Sequence, residues 1–392
     1  MKPKVAFVFG GKSVEHEISI ITGLQALQSF NNDKYDAYPL YITKNNEFYI
    51  GDGLEKIENY RKIDSLLNGA TRVILVNDGG VSKLVSYPPK KFGKNLEQPI
   101  DLAFLCVHGT NVEDGALQGF FQTFDVPIVG CDVESAALGM DKFTQKAILK
   151  DAGIPVLDAS RYTLQDYSDT EDLFDKIEKK HGYPVIIKPV NLGSSVGIKV
   201  ARDRSELVVA VDEAFQFAPI ILAEHAISNL REINCAVLGD IENAQASEIE
   251  EPLSSDEILS YEDKYMNSSK GKGSKGMASV SRQIPANVPP DMREEIRNLA
   301  ISAFQALGCN GVARIDFMID VDDNNKFYFN EINTIPGSLS FYLWEPLGKP
   351  YSELLNNIIE LAEKRTRQIN SVTFTFNTNV LDSASLTGSK GK

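Results

Sequence analysis

The stretch that decides the fold is "ARIDFMIDVDDNNKFYFNEIN", residues 313–333. Two apolar runs are joined by "DVDDNN", whose aspartates and asparagines are typical of a turn, so the pattern predicts a β-hairpin. Alternate side chains of a strand share one face of its sheet. Arg314 and Asp316 therefore project to one side of the hairpin. Glu331 and Asn333 follow the same alternation, which brings one guanidinium and three oxygen-bearing side chains together.

This group of side chains has the composition of a divalent-cation site. Mg²⁺ prefers a few carboxylate oxygens together with the phosphate oxygens of a substrate. The group therefore predicts a magnesium site that serves a nucleotide. A single pattern of this kind more often marks a solvated hairpin face with an incidental ion pair. The choice between the two interpretations depends on the other motifs of the chain.

A second stretch predicts a phosphate-binding loop. In "VIIKPVNLGSSVG", residues 185–197, Lys188 ends an apolar strand and a loop rich in glycine and serine follows. A Walker A loop has its lysine after the glycines, so the order here excludes that motif. Glu224 and Glu232 flank the start of another strand, in "ILAEHAISNLREIN". Together these stretches favour a nucleotide gripped between two sheets, with the glycine-rich loop folding over its phosphates.

The N-terminal part of the chain predicts a sheet of a different kind. Apolar strands such as "KVAFVFGG" and "IDLAFLCVHG" alternate with helical patterns such as "GALQGFFQTF". This alternation predicts a mostly parallel sheet, in which ligands collect at the carboxyl ends of the strands. Glu15 and His108 each follow one of these strands, and we expect both at that rim. Glu15 in the first turn of a helix could also serve only to complement the helix dipole.

Size and composition restrict the function. The 392 residues allow two or three domains. A formal net charge of −14 disfavours nucleic-acid binding, since acidic surfaces repel phosphate backbones. The four cysteines form no CxxC pair and are predicted to be reduced. No run approaches the roughly 18 apolar residues that span a bilayer. We expect a cytoplasmic protein with small-molecule partners, without nucleic-acid or membrane partners.

Seven stretches, taken together, resemble the ATP-grasp superfamily and, within it, the D-alanine:D-alanine ligase family. They are "VFGGKSVEHEIS", "VHGTNVEDGALQG", "VPIVGCDVESAALGMDK", "KPVNLGSSVG", "YEDKY", "LGCNGVARIDF" and "NEINTIPG". They occur in the order of the family and cover residues 5 to about 340. The resemblance implies a mixture of α/β and α+β structure: an N-terminal Rossmann-like domain with a parallel sheet, followed by an ATP-grasp fold of two subdomains.

The domain boundaries predicted from this resemblance divide the chain into four parts. They are an N-terminal domain over 1–129, a small ATP-grasp subdomain over 130–223, a C-terminal subdomain over 224–370 that contains a flexible lid loop at 258–281, and a C-terminal strand with a disordered tail over 371–392.

The resemblance also implies the residues that bind ATP and metal. Six residues are assigned to ATP: Lys142, Lys188, Ser195, Glu224, Glu232 and Lys264. The lysines and the serine would contact phosphates, Glu224 would meet adenine, and Glu232 would meet the ribose hydroxyls, although one extra residue separates these two glutamates. Three residues are assigned to Mg²⁺ or Mn²⁺: Asp316, Glu331 and Asn333.

The remaining assignments concern the amino-acid substrates. Glu15 would bind the ammonium group of the first amino acid and would be linked by hydrogen bonds to Ser194 and Tyr265. His108 would lie near that substrate. The oxyanion of the tetrahedral intermediate would rest against Arg314 and the backbone N–H of Gly337.

The activity implied by the resemblance is ATP-dependent joining of two D-alanine molecules for peptidoglycan precursors, with release of ADP and phosphate. An acylphosphate would be the intermediate, because an amine cannot attack a free carboxylate at neutral pH. The family resemblance further implies a homodimer.

Two departures from the family pattern keep alternatives open. The turn after His108 reads "HGTNVEDG", with Asn111 and Val112 where a glycine before the acidic pair is usual. Five residues after Gly337, Tyr342 stands where the family has a serine that fixes the carboxylate of the second amino acid, and Ser338 falls elsewhere. The acceptor pocket, to which we assign Ser338 and Tyr342, is therefore predicted to be rearranged.

Two alternative functions follow. One is a divergent ATP-grasp ligase with another acceptor, such as D-serine, D-lactate or a different amino acid, although Tyr265 favours an amine over D-lactate. The other is a non-catalytic nucleotide-binding module, which the presence of Arg314 beside the complete magnesium set disfavours.

Overall fold

The computed structural model describes residues 2–31, 33–193, 196–253 and 282–375. Several sequence predictions lie outside the described residues: those for Ser194, Ser195, Lys264, Tyr265, the lid loop at 258–281 and the tail from residue 376. Residues 371–375, where the C-terminal strand was predicted to begin, form no strand. No helix in the described part of the chain is long and apolar enough to cross a membrane.

The N-terminal sheet has eight strands in the order β6-β5-β4-β3-β2-β1-β7-β8. The strands are β1 (Lys4–Gly10), β2 (Asp36–Ile42), β3 (Phe48–Ile50), β4 (Thr71–Asp78), β5 (Val81–Ser86), β6 (Glu97–Pro99), β7 (Leu102–Leu105) and β8 (Ile128–Val129). β1 is parallel to β2 and β7, and β7 is parallel to β8. The remaining four pairs, from β2 to β6, are antiparallel.

The predicted parallel sheet is confirmed for β1, β2, β7 and β8, but the four other strand pairs are antiparallel, so the sheet as a whole is mixed and not mostly parallel. The physical reason lies in the connections. A parallel pair needs a crossover of a dozen or more residues, whereas two-residue turns give hairpins. β4 and β5 are joined only by Gly79 and Gly80, whose φ angles of +62° and +85° suit a hairpin turn.

Three helices accompany this sheet: α1 (His16–Ser29), α2 (Ile63–Gly69) and α3 (Ala116–Thr123). α1 follows β1 and lies close against it, because Gly23 leaves room for the ring of Phe9. A Cβ atom at Gly23 would lie 2.5 Å from that ring. The close packing fixes the start of α1, and with it Glu15, at the carboxyl end of β1.

The next sheet is small and antiparallel, with its four strands in the order β11-β10-β12-β9. Its strands are β9 (Ala159–Thr163), β10 (Val185–Pro189), β11 (Lys199–Ala201) and β12 (Ile220–His225). The helices in this part of the chain are α4 (Val133–Met140), α5 (Lys142–Asp151), α6 (Thr170–His181) and α7 (Arg204–Phe217).

The stretch "CDVESAALGMDKFTQKAILKDAGIP", residues 131–155, predicts a single helix that ends near Gly153, whereas the structure has two helices there. The break is at Asp141, whose backbone is extended with φ −88° and ψ 98°. Its carboxylate accepts hydrogen bonds from the N–H groups of Phe143 at 3.0 Å and Thr144 at 2.8 Å. Asp141 is thus the N-cap of α5, and the prediction of a single helix is wrong because this cap starts a new helix at Lys142.

The third sheet is antiparallel, with its five strands in the order β15-β14-β13-β16-β17. Its strands are β13 (Leu230–Gly239), β14 (Ala244–Pro252), β15 (Arg282–Gln283), β16 (Gly311–Asp320) and β17 (Lys326–Asn333). Helix α8 (Pro290–Ala306) packs against it, and helix α9 (Tyr351–Asn370) follows a segment of turns, Gly337–Leu343.

The predicted hairpin is confirmed, and its register places the predicted residues side by side. Arg314 pairs with Asn333, and Asp316 pairs with Glu331. The next pair is Phe317 with Phe329, so Asn330 is an extra residue in a β-bulge.

One apolar core connects the two ends of the chain. Buried residues of the N-terminal sheet, such as Phe7 and Phe104, belong to the same cluster as Trp344 and residues of α9 such as Leu354 and Ile358. The N-terminal sheet therefore depends on the C-terminal helix for part of its core.

Candidate active site

One cleft brings together most of the predicted site residues. It is lined by Glu15, His108, Lys142, Lys188, Arg314, Asp316, Glu331, Asn333, Gly337 and Tyr342. Lys188 and Glu232 line both this cleft and an adjoining one, in which Glu224 also lies. Of the predicted site residues that the structure describes, Ser338 lines neither cleft.

A buried group of three charges lies between the two clefts. Glu224 is fully buried, and its carboxylate pairs with Lys188 through Oε1 and with Lys146 through Oε2, the latter at 2.7 Å. Burial alone would raise the pKa of Glu224, but the charges of Lys146 and Lys188 outweigh burial and lower the pKa to about 2. Two ammonium groups thus share one carboxylate, and the surplus positive charge suits an anionic ligand.

Lys146 was not predicted from the sequence. It lies four residues after Lys142 on α5, so a helical turn places the two lysines on one face. Burial lowers the pKa of Lys146, although the carboxylate of Glu224 opposes the effect. Another residue missed is Asn330, which the bulge turns toward the cleft, where its Oδ1 accepts a hydrogen bond from Lys188 at 3.3 Å.

Lys142 connects the glycine-rich loop to the hairpin. Its Nζ donates to the carbonyl oxygen of Leu192 at 2.8 Å and pairs with Oε2 of Glu331 at 3.0 Å. The start of α5 at Asp141 therefore sets the position of a cation that contacts both walls of the cleft.

The hairpin contributes a second ion pair. Arg314 donates from Nε and Nη2 to the two oxygens of Asp316, each at 2.7 Å. Nδ2 of Asn333 donates to the same carboxylate at 3.0 Å. Burial would lower the pKa of Arg314, but Asp316 raises it well above its usual value, so this guanidinium stays charged.

Glu15 is enclosed by two loops that only glycine allows to approach so closely. A Cβ atom at Gly109, whose φ is +87°, would lie 2.8 Å from Oε2 of Glu15. At Gly193, in the glycine-rich loop, the same atom would lie 3.0 Å away. The loop after β7 and the loop after β10 therefore meet at this buried carboxylate.

His108 lies beside Glu15 in the cleft wall and is buried. Its Nε2 is 2.7 Å from Oγ1 of Thr22, which accepts a hydrogen bond from the N–H of Ser338 at 3.1 Å. The hydroxyl proton of Thr22 can then point to Nε2, which fits a neutral ring. Burial lowers the pKa of His108 to about 4, which agrees with the neutral form.

Glu113 is a further residue that sequence analysis missed, although it lies in the quoted stretch "HGTNVEDG". It accepts hydrogen bonds from the N–H groups of Gly109 at 3.0 Å and Ile335 at 2.8 Å. Burial raises its pKa to about 8. This carboxyl group ties the loop that carries His108 to the segment that precedes Gly337.

The two predicted acceptor residues lie in different surroundings. Ser338 is buried, and its hydroxyl donates to Oε1 of Gln25 at 2.6 Å, away from the cleft. The hydroxyl of Tyr342 donates to Oε1 of Glu250 at 3.0 Å within the cleft. Between them the chain makes a left-handed turn, with φ near +50° at residues 338–340.

Lysines of the four-stranded sheet and of helix α5 thus face carboxylates of the five-stranded sheet, and the rim of the N-terminal sheet closes the cleft at Glu15. This arrangement defines the class of ATP-grasp ligases. The family model described as the N-terminus of D-ala D-ala ligase matches residues 4–131, and the model for its C-terminus matches residues 148–360. The chain belongs to the D-alanine–D-alanine ligase family, whose members are ATP-dependent, ADP-forming ligases.

Relatives and solved structures agree with this assignment. The D-alanine–D-alanine ligase of Thermosipho melanesiensis is 38% identical over 377 residues, covering 96% of this chain and 98% of that protein. The same enzyme from Acetivibrio thermocellus is 39% identical, covering 93% and 96%. The D-alanine-D-alanine ligase of Coxiella burnetii has a TM-score of 0.76 at 29% identity, covering 94% and 96%. The VanG D-Ala:D-Ser ligase of Enterococcus faecalis also has a TM-score of 0.76, at 30% identity, covering 92% and 100%.

Proposed function

We propose that the protein joins two D-alanine molecules to D-alanyl-D-alanine, with ATP converted to ADP and phosphate, as a step toward peptidoglycan precursors. The observation that carries the proposal is the arrangement of the cleft. A buried carboxylate, Glu15, lies at one end, and cations and carboxylates from facing walls meet at the other. The family resemblance supports a homodimer in the cytoplasm.

ATP would occupy the adjoining cleft and extend into the first. Ile186, Leu230 and Met318 give apolar surface to the boundary between the clefts, which suits a purine ring. Glu232 at the same boundary suits the ribose hydroxyls. Lys142 and Lys188 would then hold the phosphates, since their Nζ atoms lie on the walls between the glycine-rich loop and the hairpin.

The hairpin carboxylates fit Mg²⁺. The described residues contain no group of three His, Cys, Asp or Glu side chains arranged for a metal. The proposed donors are instead two carboxylates, Asp316 and Glu331, and the amide oxygen of Asn333, all hard oxygen donors of the kind that Mg²⁺ takes together with phosphate. When bound, Mg²⁺ would neutralise charge on the phosphoryl group that is transferred.

The chemistry then follows from the residues around the cleft. Glu15 would hold the ammonium group of the first D-alanine, leaving its carboxylate toward the phosphates. Transfer of the γ-phosphoryl group forms a carboxyl O–P bond, breaks the β–γ bond and releases ADP. The amine of the second D-alanine attacks the acylphosphate carbon, loses a proton and displaces phosphate. Arg314 and the N–H of Gly337 would stabilise the oxyanion during this attack.

The proposal is tested with purified protein, ATP, Mg²⁺ and a pool of D- and L-amino acids, with products identified by mass spectrometry. D-alanyl-D-alanine should dominate, with one phosphate released per dipeptide. Absence of phosphate release with every amino acid would show a non-catalytic nucleotide-binding module.

A second candidate is a ligase with D-serine as acceptor. It is favoured by Tyr342 in the place of the serine usual in the family, and by the similarity to the D-Ala:D-Ser ligase of Enterococcus faecalis. The same pool separates the candidates, because D-alanyl-D-serine has a different mass. A mixed dipeptide as the main product would favour this second function.

A further inference from the structure

The end of the cleft beside Tyr342 contains an arginine that no motif indicated. Arg282 lies on β15, and its Nη1 donates to Oε2 of Glu250 at 2.9 Å. Its guanidinium carbon lies 4.1 Å from the centre of the Tyr342 ring. The Tyr342 hydroxyl and Nδ2 of Asn234 donate to the other oxygen of Glu250, at 3.0 and 3.1 Å. The guanidinium is therefore fixed by an ion pair on one side and by an aromatic face on the other.

The register of the third sheet places this arginine relative to the phosphates. Glu250, Asn234, Asp316 and Glu331 form one row across four neighbouring strands. With strands about 4.8 Å apart, Glu250 lies roughly 14 Å from Glu331 along the row. Lys142 and Glu331 lie at the end of the row where the phosphates would bind. The second amino acid would lie on the other side of the reacting carbon, toward Glu250.

The cations that line this cleft have different partners. Among the described lining residues, lysine and arginine occur at Lys142, Lys188, Arg282 and Arg314. The two lysines lie at the phosphate end, and Arg314 makes a two-point ion pair with Asp316. The guanidinium of Arg282 lies over the ring of Tyr342, the residue in the position of the family's carboxylate-fixing serine.

We propose that Arg282 binds the carboxylate of the acceptor amino acid, and that Glu250 and Tyr342 position its guanidinium. The proposal rests on the function proposed above and deepens it. A guanidinium carries five N–H donors in a planar fork, so it can hold Glu250 and a substrate carboxylate together. Tyr342 thus acts through its ring and its bond to Glu250. The acceptor is a small amino acid with a free carboxylate, and an acceptor amide binds poorly.

The test is an internal competition between D-alanine and D-alaninamide as acceptors. D-alaninamide has no carboxylate to activate, so it enters only as acceptor. In one reaction, the ratio of dipeptide to dipeptide amide measures the relative kcat/KM of the two acceptors. That ratio does not depend on ATP binding, on donor activation or on the fraction of protein that is active.

For Arg282→Met we expect the ratio of dipeptide to dipeptide amide to fall by roughly 10- to 100-fold, which is the usual effect of losing one hydrogen bond to a charged group. Arg282→Lys should keep part of the preference, because the charge remains. Tyr342→Phe, which removes only the bond to Glu250, should lower the ratio by less than Arg282→Met does.

The control is Arg293→Met. Arg293 pairs with Glu248, on the same strand as Glu250, but it lies on α8 and outside the lining of the cleft. Its loss should leave the ratio unchanged. An unchanged ratio in Arg282→Met, even with slower turnover, overturns the proposal. A wild-type protein that forms neither product overturns the proposed function and this inference together.

Discussion

Glu331 lies opposite Asp316 on the hairpin and pairs with Lys142, so it belongs to both the proposed metal set and the cleft wall. We expect Glu331→Gln to lower kcat by roughly 100-fold or more, because the neutral amide is a weaker ligand and leaves Lys142 without a counter-charge. Steady-state phosphate release measures the effect. Glu353→Gln, which alters an exposed pair with Lys349, is the control. Wild-type turnover by Glu331→Gln would refute the metal assignment.

The buried ring of His108 predicts a pH dependence of stability. Its pKa in the folded protein is about 4, below the usual 6.5, so between these values the unfolded chain binds more protons than the folded one. The contribution of His108 to the free energy of unfolding therefore falls as pH falls from 6.5 to 4, opposite in sign to that of Glu113, whose folded pKa is raised to about 8. His108→Gln should remove this contribution, so that the free energy of unfolding of the variant falls less, or rises more, than that of the wild type as pH is lowered, as measured by denaturant unfolding across the same range. His225→Gln, at an exposed position, should not. Identical slopes for His108→Gln and the wild type would contradict the prediction.

Site residues whose neighbours are close in the chain could be predicted from the sequence, whereas those whose partners are distant in the chain could not. The shared face of Arg314 and Asp316 follows from alternation along one strand, and the register confirmed it. Lys146 meets Glu224 across 78 positions, and Glu113 meets Ile335 across 222. Such contacts depend on how three sheets are arranged, which no local pattern in the chain specifies.

At the scale of elements, the break between α4 and α5 has a functional consequence. The carboxylate of Asp141 caps α5, and Lys142 is the first residue of that helix. We expect Asp141→Ala to cost about 1 kcal/mol of stability, the usual value of an N-cap. Because the capped first turn of α5 would no longer hold Lys142 in place, KM for ATP should also rise several-fold.

The matched control is Asp203→Ala. Asp203 caps α7 with hydrogen bonds from two backbone N–H groups at 2.8 and 2.9 Å, as Asp141 caps α5, and lies outside both clefts. It should lose comparable stability with unchanged KM for ATP. If the two variants change KM equally, the cap of α5 has no role in ATP binding.

Elements were predicted well where the period of the pattern was unambiguous. The β16–β17 hairpin and α3 were found, because a turn or a regular apolar face marks them. The antiparallel strands β3 to β6 were not predicted, and their direction could not have been, since strand direction depends on the connections and not on the strands themselves. The bulge at Asn330 could not be predicted from the sequence, because the residues on either side of Asn330 alternate as in an ordinary strand.

At the scale of the whole molecule, a side chain of α9 makes hydrogen bonds to the end of the N-terminal sheet. Arg365 donates to the carbonyl oxygens of Ile128 at 2.6 Å and Gly130 at 2.7 Å. We expect Arg365→Met to lower the free energy of unfolding by about 2 kcal/mol. The fluorescence of Trp344, the single tryptophan, and the far-UV circular dichroism should shift together, because Trp344 lies in the core shared by both ends of the chain.

Arg367→Met, on the exposed side of the same helix, serves as the control and should change neither signal. Separate transitions by fluorescence and circular dichroism in Arg365→Met would show that the two ends of the chain unfold independently.

The function of the whole molecule could be predicted from the sequence because seven stretches occur in the family's order and together span most of the chain. The family matches agree with them. The predicted roles of Ser194, Ser195, Lys264 and Tyr265 stay predictions. The acceptor end could not be resolved from sequence. Tyr342 signalled a rearrangement there, but Arg282 and Glu250 belong to no motif and meet Tyr342 only in the folded sheet.

The left-handed turn at residues 338–340 offers a route to a more heat-resistant protein. L-residues in this conformation cost roughly 1 kcal/mol each, and the hydroxyl of Ser340 is buried with no hydrogen-bond partner among the described residues. Ser340→Gly would relieve both penalties, and calorimetry should show a higher melting temperature. Ser338→Gly would forfeit the bond to Gln25 and should not melt higher. Removing one hydroxymethyl group would thus raise the melting temperature, an effect for which additional contacts are usually designed.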